Sequence, residues 1–181
     1  MYVIFYIYKY IYLKRWNLSR NIFVMRITDT YIPKKIIGTI FADTGLDLYF
    51  IVRDEIKRYG NDANLNHIDV SRVQSLLTMF YGIWEFNGDV SLWDVSKVFN
   101  FDECFSLCGK FNCDISEWDV SRGESFKRMF YKCGSFNHDL SKWKIKDNYV
   151  SMWQMFKECP APKPQFVIEQ ERFEDSYNLV K

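Results

Sequence analysis

Three groups of residues in this chain have the types and spacing that chemistry uses. Asp43-Thr44-Gly45, after the apolar Ile40-Phe41-Ala42, is the tripeptide of aspartic proteases, where two carboxylates share a proton across a dimer. Asp89, Asp114 and Asp139 recur at a spacing of 25, as do Asp69, Asp94 and Asp119, and stacked carboxylates could hold Ca²⁺. Trp93, Trp118 and Trp143 recur in the same way and could stack sugars or bases. Each group also has a plainer reading, and that reading is favoured. Thr44 with Asp47 three residues later is a helix capping box. An aspartate in a tight turn accepts backbone N–H groups close by in sequence. A tryptophan once per repeat, beside β-branched neighbours, fills a core. His67 and His138 fall at different repeat positions, without metal-ligand spacing to cysteine. No Cys-x-x-Cys, glycine-rich phosphate loop or nucleophile triad can be assembled. The sequence therefore predicts no catalytic residue, metal or cofactor.

The elements that carry these residues come from a repeat. Phe86-Asn87-Gly88-Asp89-Val90-Ser91-Leu92-Trp93 returns as Phe111-Asn112-Cys113-Asp114-Ile115-Ser116-Glu117-Trp118 and as Phe136-Asn137-His138-Asp139-Leu140-Ser141-Lys142-Trp143. The starts at 86, 111 and 136 are 25 residues apart. A worn copy precedes them, with Ile68-Asp69-Val70-Ser71 in the register of Trp93-Asp94-Val95-Ser96. Met79-Phe80, Cys104-Phe105, Met129-Phe130 and Met155-Phe156 mark the second halves, and the final step of 26 places one inserted residue near Asp147-Asn148. Units this short bury their apolar edges only by stacking. Val90 to Val95 reads as a short strand, and the 3, 4, 3 steps of Val98, Phe101, Phe105 and Cys108 read as a helical turn or two. The expected fold is α/β: a leucine-rich-repeat-like solenoid of about four 25-residue coils with an N-terminal capping helix. Asn87, Asn112 and Asn137 read as a ladder between coils.

Four segments follow: an extension at 1–24, a capping-helix region at 25–60, the repeats at 61–160, and a Pro-rich exit and tail at 161–181. The cap is predicted to start at Thr44, to present Leu48, Ile51, Val52, Ile56 and Tyr59 on one face, and to stop at Gly60. In the tail, Phe166, Phe173, Tyr177 and Val180 suggest a weakly amphipathic helix that closes the other end or frays. The extension, apolar and then basic at Lys14-Arg15, is either a weak membrane anchor or an artefact of start-codon choice, with Met25 the true beginning. Any membrane association would run through it.

Composition narrows the function classes. The chain has 181 residues and a net charge of +1, which excludes the basic-patch kind of nucleic-acid binder. At 48% hydrophobic and 19% aromatic it is too apolar for a disordered tail. Cys108, Cys133 and Cys159 share their repeat position with Ile83, which marks an apolar interior site, and Cys104 is also a core position. Cys113 falls at a variable turn position and is expected to be the exposed thiol.

The three FN-x-D units, FNGDVSLWDVSKV, FNCDISEWDVS and FNHDLSKW, resemble the BspA-type leucine-rich-repeat surface proteins, a bacterial repeat domain also described from Mycoplasma-type lipoproteins. The likeness runs from about Pro33 to Phe166. Lys144 departs from it where the Asp of Trp-Asp is usual, and Cys104 where the first Met of Met-Phe is usual. The resemblance implies a non-enzymatic protein that binds an unknown protein or cell-surface ligand, typically at a cell surface; a start at Met25 would instead imply the cytoplasm. Within the fixed motif, the freely varying positions are Leu92, Glu117 and Lys142, and Gly88, Cys113 and His138. These six form the candidate partner-binding row. The alternatives are a purely structural stalk fragment and a dimeric aspartic protease using Asp43-Thr44-Gly45.

Overall fold

A computed structural model describes residues 40–146 and 150–178, all within the unit Gly38–Lys181. The readings of the 1–24 extension and of the insertion at Asp147-Asn148 fall outside the described residues. Strand β1 (Ile40–Phe41) pairs in parallel with β2 (Ile68–Asp69), Ile40 opposite Ile68 and Phe41 opposite Asp69. Helix α1 (Gly45–Tyr59) lies between them in sequence, and α2 (Gln165–Asn178) follows the repeats.

Helix α1 forms for the reasons its sequence states. The Thr44 hydroxyl oxygen accepts the Asp47 N–H at 3.1 Å and donates to the Asp47 carboxylate at 2.8 Å. Lys57 and Arg58 sit in the last turn, and Gly60 takes φ +90° while its N–H closes on the Ile56 carbonyl. Leu48, Ile51 and Val52 face the core. Tyr59, expected on the same face, is exposed, and the buried fourth residue is Glu55, with its carboxylate 3.0 Å from His67 Nε2. At the other end Val167 is fully buried and Phe166 packs against the core, so the start of α2 does the closing; Val180 lies outside the described residues.

The units, numbered here as coils 1 to 4 (61–85, 86–110, 111–135, 136–160), meet one another in register. Parallel single-residue bridges join Ser75 to Asn100, Asn100 to Ser125 and Ser125 to Ser151; the final step is one residue longer, as the motif spacing requires. Two columns of rings fill the interior. Phe80, Phe105, Phe130 and Phe156 stack at 5.1, 5.9 and 5.3 Å, and Phe86, Phe111 and Phe136 at 5.9 and 5.7 Å. The columns meet where one coil leads into the next, as at Phe105–Phe111, whose centroids are 3.9 Å apart. Offset stacked rings add to the free energy of burial alone.

The helix expected in each coil is absent among the described residues. The segment from Leu76 to Ile83 is a string of turns instead. The N–H groups of Leu76, Thr78, Phe80 and Gly82 donate to the carbonyls of Asn100, Asp102, Cys104 and Ser106 in the next coil. The intervening Met79, Tyr81 and Ile83 close turns onto Leu76, Thr78 and Phe80. The same alternation repeats from Phe101 and from Phe126. Two residues per coil take left-handed φ: Thr78 and Gly82, Glu103 and Leu107, Arg128 and Lys132, Gln154 and Glu158. The apolar steps looked helical because this string also buries i, i+3 and i+4. A helix would have spent every N–H within its own coil and left the next coil unbound.

Candidate functional site

The strand expected over Val90 to Val95 is not formed, because Ser91-Leu92 make a turn that the Trp93 N–H closes on the Val90 carbonyl. The face carrying these turns is built from side chains that tie each coil to its neighbour. Asn66 Oδ1 accepts the Leu92 N–H at 2.9 Å, Asn87 Oδ1 the Asn112 N–H at 2.9 Å, and Asn112 Oδ1 the Asn137 N–H at 3.1 Å. The bonds of Asn87, Asn112 and Asn137 are the predicted asparagine ladder, and Asn66 adds a tie at another repeat position. Trp93, Trp118 and Trp143 are each 4% exposed, and their indole N–H groups donate to the carbonyls of Leu65, Val90 and Ile115 at 3.0, 3.1 and 3.2 Å. The tryptophans are core, as the plainer reading required.

The aspartate columns serve turns. Asp69, Asp94 and Asp119 each accept the N–H of the serine two residues on, and so do Asp89, Asp114 and Asp139. The Ser71 and Ser121 side chains, then their N–H groups, hold Asp69 and Asp119 below the usual carboxylate range; at Asp114 the Ser116 N–H leads. Burial pushes Asp89 upward, but the Ser91 N–H and the Asn66 amide more than offset it. Asp43 is exposed and paired with Arg72 at 3.0 Å, Thr44 caps α1, and Gly45 begins it. A Cβ on Gly45 would stand 2.5 Å from the Ser75 carbonyl oxygen, so packing of α1 on coil 1 accounts for that glycine.

Of the six candidate partner-binding residues, three form an exposed ridge. Leu92 is 78% exposed on a backbone fixed by Asn66. Glu117 and Lys142 are exposed and joined by an ion pair at 2.9 Å, whose hydrogen bond holds the Lys142 ammonium above its ordinary pKa. A pair this open to water adds little stability.

Gly88, Cys113 and His138 do not belong to that ridge, which corrects the expectation that they face solvent. Gly88 is buried, and a Cβ there would meet the Ala63 carbonyl oxygen at 2.7 Å. His138 Nε2 lies 3.0 Å from the Asn112 carbonyl. Cys113 is half-buried with Sγ 3.7 Å from Asp89 Oδ1, and burial chiefly pushes its thiol up to about 11. The Cys113 and His138 side chains turn back along the coil axis toward the preceding coil. Spacing marks them as variable, but it cannot tell a side chain facing water from one facing the coil below.

The interior thiols lie where the shared position with Ile83 indicated. Cys108 and Cys133 are buried and donate to the carbonyls of Phe80 and Phe105 at 3.0 and 2.8 Å, while Cys159 is half-buried. Burial raises all three, with Cys108 at about 12.

A second exposed surface escaped the sequence reading. On the turn side, Leu77, Tyr81, Trp84 and Trp153 are exposed, and the Arg128 guanidinium lies 4.4 Å from the Trp153 ring centroid and 5.6 Å from that of Tyr131. Its signal was the variable column Leu77, Asp102, Lys127 and Trp153, hidden by reading this segment as a helix.

Taken together, the in-register bridges, ring columns and asparagine ladder define a protein of stacked 25-residue repeats. The chain belongs to the family described as Mycoplasma protein of unknown function, DUF285, whose model matches residues 50–167. That span begins inside α1 and ends on Val167, the buried residue of α2. No curated protein and no solved structure matches the chain.

Proposed function

We propose that the chain is a non-enzymatic interaction module of the BspA type, a leucine-rich-repeat-like solenoid that binds a protein or cell-surface ligand along one side. The observation that carries this reading is the ridge Leu92, Glu117 and Lys142: exposed, chemically varied, one residue per coil, on a backbone the ladder and turns hold still. A fixed row of this kind lets a partner bind without ordering the surface first. Leu92 supplies apolar area, and Glu117 and Lys142 supply one charge of each sign. Adhesion at a cell surface is the setting that suits such a module.

The test is Leu92→Ser, Glu117→Ser and Lys142→Ser combined, assayed by titration against a partner captured by crosslinking from the source cell. Affinity is expected to fall about tenfold or more, roughly 1.4 kcal/mol, with the melting temperature little changed. Undiminished binding by the triple variant would move the site to the turn side, around Tyr81, Trp84 and Trp153.

A further inference from the structure

We infer that Asn87-Gly88 is a modification site: a deamidation point that the stacked coils hold shut. Asn87, Asn112 and Asn137 share one ladder position, but the residue that follows is glycine only at Asn87, with Cys113 and His138 at the others. Deamidation starts when the next residue's peptide nitrogen attacks the asparagine amide carbon, and a following residue without a side chain hinders that approach least. The Gly88 nitrogen bonds to Asn87 Cγ, and its proton leaves with the amide nitrogen as ammonia, which closes a succinimide ring. Water then opens the ring at either carbonyl, leaving aspartate or isoaspartate. Water is the only co-reactant.

The fold opposes each part of that motion. The Asn87 N–H donates to the Asn61 carbonyl at 2.9 Å, its Oδ1 accepts the Asn112 N–H at 2.9 Å, and the Asp89 N–H donates to the Ala63 carbonyl at 3.0 Å. Gly88 is buried between these anchors. A Cβ there would stand 2.6 Å from the Phe86 ring and 2.7 Å from the Ala63 oxygen. A side chain would be seated here only if the Phe86 ring or the Ala63 carbonyl shifted, so the packing of this coil suits the glycine, and the reactive dipeptide comes with it. Ring closure requires the Asn87 side chain to release Asn112 and fold back over its own C-terminal peptide. The rate at Asn87 thus reports how often the ladder between coils 2 and 3 opens. The two products differ in consequence: aspartate keeps an acceptor for the Asn112 N–H, whereas isoaspartate lengthens the backbone and breaks register with coil 1.

The full chain would be incubated in mildly alkaline buffer, native and in urea. The peptides carrying Asn87, Asn112 and Asn137 would be followed by mass, and isoaspartate by enzymatic methylation. In urea Asn87 should convert well ahead of Asn112 and Asn137. In the native chain its conversion should be slower by about tenfold or more, because only the open state reacts. Equal conversion at Asn87 and Asn112 in urea would remove the site, and equal native and urea rates at Asn87 would remove the gating. Asn87→Asp should melt close to the unmodified chain, while isoaspartate-enriched protein should melt lower. Coincident melting of those two would overturn the register argument.

Discussion

Helix α1 and the segment from Leu76 to Ile83 place apolar residues at the same spacing and fold differently. In α1 Leu48, Ile51 and Val52 are buried, and in the repeat Leu76, Met79 and Phe80 are buried with Ile83 packed beside them. Each pattern steps by three and then one. Yet α1 sends its N–H groups to its own carbonyls, whereas Leu76, Thr78, Phe80 and Gly82 send theirs to coil 2. What separates them is punctuation and neighbours. The cap has Thr44 and Asp47 at one end and Gly60 at the other, and it lies at the end of the stack. The repeat segment has a copy of itself one coil away offering a matching row of carbonyls. Periodicity reports which side is buried; the competing hydrogen-bond partners decide the conformation.

Three changes test that contrast first. Trp118→Ala removes both a core ring and the bond to the Val90 carbonyl, and should cost about 3–5 kcal/mol in denaturant unfolding. Glu117→Ala, exposed next door, should cost about 0.5 kcal/mol or less. Equal losses would mean that the coils are not held through their tryptophans. Removing the cap's first hydrogen bond by Thr44→Ala should cost about 1 kcal/mol. A null result there would show that α1 is held by packing on coil 1 alone.

Glycine should act in opposite senses in the two regions. Lys57→Gly in α1 should destabilise by about 1 kcal/mol, the ordinary helical penalty. Lys132, at φ +58°, carries a side chain where glycine fits better, so Lys132→Gly should stabilise by about 0.5–1 kcal/mol. Thermal melts of the two variants read the sign directly, and a loss at Lys132 equal to that at Lys57 would argue for a helical conformation there.

The smallest effect is in acid. Asp69, Asp114 and Asp119 are held below their unfolded values by serine hydroxyl and N–H groups, so their contribution is full above an unfolded pKa of about 4 and lost as pH falls through the folded values. Asp114 and Asp119 are exposed and Asp69 is half-buried, so the loss is modest. Asparagine at all three positions keeps an acceptor oxygen for each serine N–H and should flatten the melting temperature between mild and strong acid. An unchanged acid slope would assign the effect to other carboxylates.

Much of this was legible in the sequence because it depends on local chemistry or on strict repetition. The cap at Thr44, the stop at Gly60, the asparagine ladder, the aspartate turns and the buried tryptophans all follow from residue type at a fixed spacing. What was not legible depends on direction in space. Glu55 interrupts an apolar face, and only the fold shows His67 arriving to meet it. Gly88, Cys113 and His138 vary as freely as Leu92, Glu117 and Lys142, but Gly88 is buried and the other two side chains turn along the coil axis. The left-handed residues escaped notice because Gly82 alone among them is the residue type that advertises that conformation.

The claim beneath all of this is that each coil spends its turn-side N–H groups on the next. Scalar coupling across hydrogen bonds in an isotope-labelled sample tests it most directly, between the amide nitrogen of Phe105 and the carbonyl carbons it could face. Coupling is expected from Phe105 to Met129, across the 3.0 Å bond to the next coil, and likewise from Phe80 to Cys104. Coupling from Phe105 to Phe101, within its own coil, would mean a helix there and coils not joined through these N–H groups.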